Sequence, residues 1–361
     1  MAYPPGTVVF MNNTYRFERG GSTAEVMRVR FHTGVKAFVK FACVPEGISG
    51  GLAKPKHTIA HTTPEQKTQC LNMQKAYATT DTVALGRYGD MVEVTVRRVQ
   101  KECGLDDIGI DSWIEKVESA LPGIGVLVNQ SALFTSLADG LSMNPILYDT
   151  LDKNTVKSLL KGIPSERIVK AAIHDLLLSE GDRHMGNVFL SEGSKMTLID
   201  NDRALGFYYD KRRRGLDSVF LTNTYRNWQI FTNPITRTMD YRCHAEGGAI
   251  GFNYPPSVKT CMEKIAGMTK HEVMAEFRIP RAFVAELLQN RAKDMLTLGF
   301  EKALWKDLED NGDVASYHRI RSEAEAAGTK PSYEWRTAYR PVPAAYCVVP
   351  GEPGHVKQPA Y

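Results

Sequence analysis

The sequence predicts an α+β protein in two lobes, the first rich in strands and the second mainly helical. Three observations predict it. Alternating and β-branched runs dominate roughly the first hundred residues. Past the Ala138-Asp139-Gly140 turn the apolar residues recur at three-to-four spacing instead. A short hairpin pattern, Val188–Leu190 and Met196–Ile199 around Ser191–Ser194, marks the junction of the two styles. The expected division is 1–138 for the first lobe, 139–312 for the second and 313–361 for a tail, where six of the chain's 18 prolines fall in the last 32 residues.

In the first lobe, Thr7–Phe10 reads as a short strand, and Glu25–Phe31 and Val35–Phe41 as a hairpin about His32-Thr33-Gly34. Thr63, Pro64 and Gln66 supply an N-cap, a first helical residue and a capping box for a helix to about Tyr77. Met91–Val99 alternates, with Val92, Val94 and Val96 on one face, and predicts a strand. Ser112 with Glu115 reads as a second capping box, opening a helix to about Leu121 before Pro122-Gly123. Ala132–Leu137 is an apolar strand. In the second lobe, Ser165 caps a helix carrying Ile168, Val169, Ala172, Ile173, Leu176 and Leu177. Later helices are expected at 257–267, 270–277 and 281–308, the last with Leu287, Leu288, Met295, Leu298 and Phe300 as core.

Composition limits the function classes. With 43% hydrophobic and 24% charged residues in 361, the chain is neither disordered throughout nor embedded in a membrane. A net charge of +4 is small for a nucleic-acid coat, so no nucleic-acid partner is expected. No run approaches the roughly 18 apolar residues of a spanning helix, and Met1–Pro5 has neither a basic nor an apolar leader region. The six cysteines show no CxxC spacing and are expected to be reduced, buried thiols of a cytoplasmic protein without zinc.

Chemistry concentrates in Gly181-Asp182-Arg183-His184-Met185-Gly186-Asn187 and in Leu198-Ile199-Asp200-Asn201-Asp202. An apolar helix stops at Gly181, a polar loop carries a carboxylate and then a carboxamide, and the hairpin returns the chain to Asp200. Such a hairpin brings Asn187 and Asp200 side by side as two oxygen ligands for a hard divalent cation. Asp182 then stands where it can accept a proton from an incoming hydroxyl, which is the part list of phosphoryl transfer.

The D-x-x-x-x-N loop, short hairpin and strand ending in Asp resemble the catalytic core of the protein-kinase-like superfamily. G-D-R-H is similar to the phosphatidylinositol 3-/4-kinases, and D-N-D in place of D-F-G resembles the four-jointed/Golgi casein-kinase family of atypical protein kinases and the type II phosphatidylinositol 4-kinases. The resemblance covers about residues 165–206. It implies a bilobal kinase fold that moves the γ-phosphoryl of ATP to an alcohol, with Asp182 as base, Arg183 pairing with a phosphate or bracing Asp182, and His184 donating to the catalytic loop or packing. Asn187 and Asp200 would hold Mg²⁺ or Mn²⁺, and adenine would lie near Leu137–Gly140. Asp202 is either a supporting acid or a surface residue, and His174-Asp175 a structural polar pair.

Upstream, Gly20, Gly21 and Ser22 fit a phosphate-covering loop or a plain hairpin turn. Lys40 lies within an apolar strand and needs an anion, for which the ATP phosphates serve, with Lys36 as its rival on the same face. Glu65, or else Glu46, is the expected acidic partner of that lysine. The basic run Lys211, Arg212, Arg213, Arg214 suits an acidic peptide or a phosphoinositide headgroup, or is a solvated loop. The expected acceptor is protein Ser/Thr; the alternatives are a phosphoinositide hydroxyl and a pseudokinase scaffold, the latter countered by the presence of Asp182, Asn187, Asp200 and Lys40.

Overall fold

The computed structural model describes residues 8–11, 25–31, 36–41, 88–120, 127–143, 162–191, 195–205, 208–209, 212–213, 216–221, 238–279, 281–311 and 347. It is an α+β protein of helices and antiparallel sheets. The chain separates into two compact units, one of residues 1–94 and 110–137, the other of residues 95–109 and 138–361.

The first unit is built on a five-stranded antiparallel sheet in the order β1-β2-β3-β5-β4. Its strands are β1 (Val8–Met11), β2 (Glu25–Phe31), β3 (Lys36–Phe41), β4 (Ser112–Ala120) and β5 (Leu127–Ser136). The expected hairpin is present, with Arg30 opposite Lys36 and Glu25 opposite Phe41. Its alternation explains the burial: Ala37 and Val39 are fully covered on one face of β3. Trp113 of β4 lies opposite Phe134 of β5, with ring centroids 5.5 Å apart, a cross-strand aromatic pair that helps fix the register.

Two elements differ from expectation, the first of them divided between the two units after residue 94. Residues around Met91–Val99 form helix α1 (Tyr88–Glu102), not a strand. Val92, Val96, Val99 and Cys103 are buried at a spacing of four, three and four, a helical stripe that the β-branched alternation disguised. Ser112–Ala120 is a strand, not a capped helix, because its nine residues all find partners on β5 from Ser112–Thr135 to Ala120–Leu127. A capping box is a local signal, and a full ladder of cross-strand hydrogen bonds outweighs it. The helix expected at 64–77 lies outside the described residues.

The second unit contains a three-stranded sheet, β6 (Leu141–Ser142), β7 (Val188–Ser191) and β8 (Lys195–Leu198), in the order β6-β7-β8. Gly140 opens β6 at φ +90°, where a Cβ would stand 1.9 Å from the Leu190 carbonyl oxygen, so the turn requires glycine. Helix α2 (Ser165–Leu178) is buried along nearly its whole second half. Pro164, rather than Ser165, takes its N-cap position, and Ser165 Oγ instead meets His244 Nδ1 at 3.1 Å. Two-residue strands β9 (Tyr208–Tyr209) and β10 (Arg212–Arg213) pair beyond the hairpin.

Helices α3 (Pro256–Gly267), α4 (Lys270–Phe277), α5 (Ala282–Leu298) and α6 (Phe300–Asn311) complete this unit. Thr269 and Glu272 form a full capping box at α4. The single helix expected over 281–308 is two, broken at Gly299 with φ +81°. Leu298, expected in the core, sits at that break and is exposed, whereas Leu288, Met295 and Phe300 are buried.

The cysteines also correct the expectation. Cys103 pairs with Cys261 and Cys243 with Cys347, across 158 and 104 residues of chain. Such pairings are tertiary and leave no local spacing to read. Closing loops of this length restricts the unfolded chain by about 5 kcal/mol each in the chain-entropy account. Reduction, or Cys103→Ser, is therefore expected to lower the melting temperature by several degrees, and non-reducing digestion to yield a Cys103–Cys261 cross-linked peptide. An unchanged melt under reductant, with free thiols at these positions, would contradict the pairing.

Candidate active site

The site in the second unit is organised by how α2 ends. Ser179 adopts a left-handed conformation at φ 46°, which terminates the helix, and Glu180 N donates to Asp175 O at 2.9 Å. The chain then enters the loop 181–184 and a single 3₁₀ turn, Met185–Asn187, that leads directly into β7.

Asp182 is held through its backbone. Its N–H donates to Glu180 Oε1 at 3.1 Å, and its carbonyl accepts from His184 N at 2.8 Å and from Asn187 Nδ2 at 3.0 Å. The last bond orients the Asn187 carboxamide, with its nitrogen on the loop carbonyl and its oxygen turned away from it. Asn187 is 5% exposed.

The hairpin brings Asp200 back beside it. Val188 lies opposite Leu198, and Ile199 N donates to Asn187 O at 3.0 Å. Asp200 follows with φ 56°, a left-handed turn that aspartate tolerates better than most residues and that bends the chain off β8. Asn187 and Asp200 thus stand at one end of one hairpin, as their spacing predicts.

Arg183 does not face outward. It is fully buried, with its guanidinium on Asp175 (Nε to Oδ2, 3.3 Å), Glu180 (Nη2 to Oε2, 3.4 Å), the Ile199 carbonyl (Nη1, 2.7 Å) and Asn201 Oδ1 (Nη2). Ser218 Oγ donates to Asp175 Oδ2 at 2.6 Å, and His174 Nδ1 meets Asp175 Oδ1 at 2.8 Å. His174 Nε2 in turn faces Gln100 Nε2 at 3.0 Å. A neutral imidazole protonated on Nδ1 satisfies both contacts, donating to the carboxylate and accepting from the amide.

One buried cation cannot balance two buried carboxylates. Burial opposes ionisation of Asp175, but the Arg183 guanidinium and the His174 and Ser218 donors outweigh it and hold its pKa below the ordinary value. Glu180 is pushed well above the carboxylate range, by burial first and by the charges of Asp175 and Asp182, against the pull of Arg183. Burial likewise depresses His174 despite its bond to Asp175. Arg183 thus favours the charged form of Asp175, while burial disfavours the charged forms of Glu180 and His174, in keeping with the high cost of unpaired buried charge.

His184 reports on the outer part of the site. Its Nδ1 accepts from Gly186 N at 3.0 Å, capping the 3₁₀ turn, so at that atom the ring is an acceptor rather than the donor considered from sequence. Its pKa is lowered by burial, with Asp182 and Asp200 pulling it up and Arg183 and Arg203 pushing it down. Asp182, Asp200 and Arg203 thus lie within electrostatic reach of one ring. Arg203 Nη1 is 2.7 Å from Asp182 Oδ2. Asp202 is 9% exposed and belongs to the covered side of this turn rather than the surface.

In the first unit, Lys40 Nζ lies 3.9 Å from Glu93 Oε1 of α1, with side-chain exposures of 14% and 1%. The carboxylate beside the strand lysine is thus Glu93. Glu65, Glu46, Gly20, Gly21 and Ser22 lie outside the described residues, as do Lys211 and Arg214, while Arg212 and Arg213 form β10. Sequence reasoning missed Glu93 because its segment was assigned to a strand, and missed Arg203 although it stands three residues past Asp200 in a turn. Among the described residues, no group of three or more His, Cys, Asp or Glu side chains could hold a metal ion. The oxygen donors Asn187 and Asp200 fit a hard cation that takes its remaining ligands from phosphate and water.

No family model matches the chain, and no curated protein matches it. Among solved structures it is similar to Rv3197 of Mycobacterium tuberculosis, in a complex with erythromycin, at 14% identity and a TM-score of 0.31, covering 82% of this chain and 79% of that one. It is also similar to the MAP kinase LmaMPK10 of Leishmania major, at 14% identity and a TM-score of 0.25, covering 87% and 94%. At these TM-scores neither likeness carries an argument, and the functional reading rests on the residues themselves.

The buried cluster makes a pH prediction. A histidine with a depressed folded pKa contributes stability that is present above its ordinary value of 6.5 and is lost as pH falls through the folded pKa. This contribution of His174 should decline on acidification from pH 7 to 5, while Glu180, raised rather than lowered, contributes in the opposite sense. His174→Asn, which can still donate to Asp175 but cannot titrate, should flatten that decline by up to one proton's worth, about 1.4 kcal/mol per pH unit. Denaturant melts at several pH values measure it; parallel slopes for the two proteins would contradict the assignment.

Proposed function

We propose that the chain is an ATP-dependent phosphotransferase of atypical protein-kinase type, acting on Ser/Thr hydroxyls of proteins. The observation that carries this reading is the hairpin-end arrangement of Asp182, Asn187 and Asp200. The carboxamide oxygen of Asn187 is turned off the loop by its bond to Asp182 O, at the hairpin end that Asp200 shares. Within the first unit, the Lys40–Glu93 pair is of the kind that kinases use on ATP phosphates.

In this reading Asn187 and Asp200 would hold Mg²⁺ or Mn²⁺, which supplies charge neutralisation on the phosphates when bound. Lys40 would engage the ATP phosphates with Glu93 setting its direction. Asp182 would orient the acceptor hydroxyl and accept its proton as the oxygen–phosphorus bond forms. Arg183 acts from beneath, bracing the loop rather than touching phosphate, because its guanidinium is fully committed inside the protein.

Two disulfides fit an oxidising compartment better than a reducing one. They favour the four-jointed/Golgi casein-kinase side of the resemblance over the cytoplasmic phosphoinositide kinases. Among the described residues no helix is long and apolar enough to cross a membrane.

Labelled-ATP assays with Mg²⁺ and with Mn²⁺, run in parallel on a protein extract, phosphoinositide vesicles and small alcohols, test the proposal. Label should pass to protein, and Asp182→Ala and Asp200→Ala should each lower turnover by about a hundredfold or more. Transfer to vesicles alone would identify a lipid kinase; nucleotide binding without transfer to any acceptor, a scaffold. Full activity in either variant would refute the site.

A further inference from the structure

We propose that Arg203 is a positioning residue for this phosphoryl transfer, fixing the carboxylate of Asp182 in the orientation that an acceptor hydroxyl meets. The inference rests on the phosphotransferase reading above and deepens it. Arg203 lies in the turn after Asp200, which one bond closes from within and a second ties to helix α2. Ala204 N donates to Asn201 O at 3.1 Å, and Leu205 N donates to the Leu178 carbonyl at the end of α2 at 2.5 Å. Leu205 takes a left-handed φ of 60° to make that bond, so the turn is held against a local backbone cost.

From this anchored turn Arg203 reaches Asp182 Oδ2 at 2.7 Å, with the two side chains 17% and 29% exposed. An open surface pair is worth little because water and mobility compete with it. This one is largely covered, and one partner projects from a closed turn tied to the end of helix α2. Asp182 is fixed as well, through its N–H and carbonyl bonds to Glu180, His184 and Asn187. What its backbone bonds leave undetermined is the rotation of the carboxylate, a broad and soft torsion in aspartate. The guanidinium contact sets that rotation.

The chemistry excludes a proton-transfer role for Arg203 itself, since a guanidinium stays protonated throughout the working range. Its effect passes through Asp182. Arg203 also follows Asp200 on the same short segment, and His184 feels both charges. A single turn therefore carries the metal-ligand carboxylate and the group that aims the base, so displacing one displaces the other.

The test is a double-mutant cycle on the full chain, with Mn·ATP and a Ser/Thr-rich peptide library as acceptor. Arg203→Ala should lower kcat by about 10- to 100-fold, the cost of misaiming one group by about an ångström, while KM for ATP stays within about threefold. Arg203→Lys keeps the charge without the planar fork and should recover part of the loss. The Asp182→Ala/Arg203→Ala double variant should be no slower than Asp182→Ala alone, a result that a merely structural role would not give. Should Arg203→Ala not fold, Arg203→Gln and Arg203→Lys carry the same kcat and KM comparison. Equal slowing by Arg203→Ala in both backgrounds, or a tenfold rise in KM for ATP at constant kcat, overturns the proposal. Wild-type turnover that Asp182→Ala abolishes and Arg203→Ala leaves intact overturns the role of Arg203 alone. Absence of wild-type turnover overturns the phosphotransferase reading and this role with it.

Discussion

The Arg183 guanidinium has no exposure to solvent, and the placement of the chemistry-bearing segments follows from what it binds. Through Asp175 it holds helix α2, through Glu180 the turn after the helix, and through the Ile199 carbonyl and Asn201 the strand that leads to Asp200 and the turn beyond it. A neutral residue of similar size could fill the space but not bond three segments at once. A lysine would bring the charge without the planar array of five donors. The cost of the buried charge is offset by Asp175, whose charged form Arg183 favours, while burial and the neighbouring carboxylates disfavour the charged form of Glu180.

This arrangement separates the buried brace from the exposed face of the loop. Adjacent residues take opposite duties: Asp182 faces partly outward, whereas Arg183 is sealed inside. His174 and Asp175, expected as a structural polar pair, are the inner end of the same network, which reaches Gln100 of α1. In the other unit, the Lys40–Glu93 pair is likewise a charge held in place by an element of regular structure, here a strand and a helix. Each unit thus holds charged side chains on elements of regular structure or on turns bonded to them.

Legibility from sequence tracked the range of the determining contacts. The loop from Asp182 to Asn187 and the hairpin back to Asp200 were readable because spacing and turn chemistry over about twenty residues fix them. The hairpin of β2 and β3 was readable for the same reason. Helix α1 was not, since Val92 and Val96 fit both a two-residue and a 3.6-residue period, and packing of Val99 and Cys103 decides between them. That one assignment also concealed Glu93. The strand Ser112–Ala120 imitated a helix start because its true partner begins fifteen residues later. Disulfides joining positions 158 and 104 residues apart, and the reach of Arg203 to Asp182, are tertiary facts with no local signature.

In the proposed function Asn187 and Asp200 would hold a divalent cation on the phosphates of ATP. A crystal structure with Mn²⁺ and a non-hydrolysable ATP analogue, with the metal located by its anomalous signal, tests this most directly. A manganese peak is expected, bound by Asn187 Oδ1, an Asp200 carboxylate oxygen and phosphate oxygens, at about 2.0–2.2 Å from each as for other small hard cations. Ordered nucleotide with its metal elsewhere, or a saturating soak that leaves these two residues without metal, would contradict it.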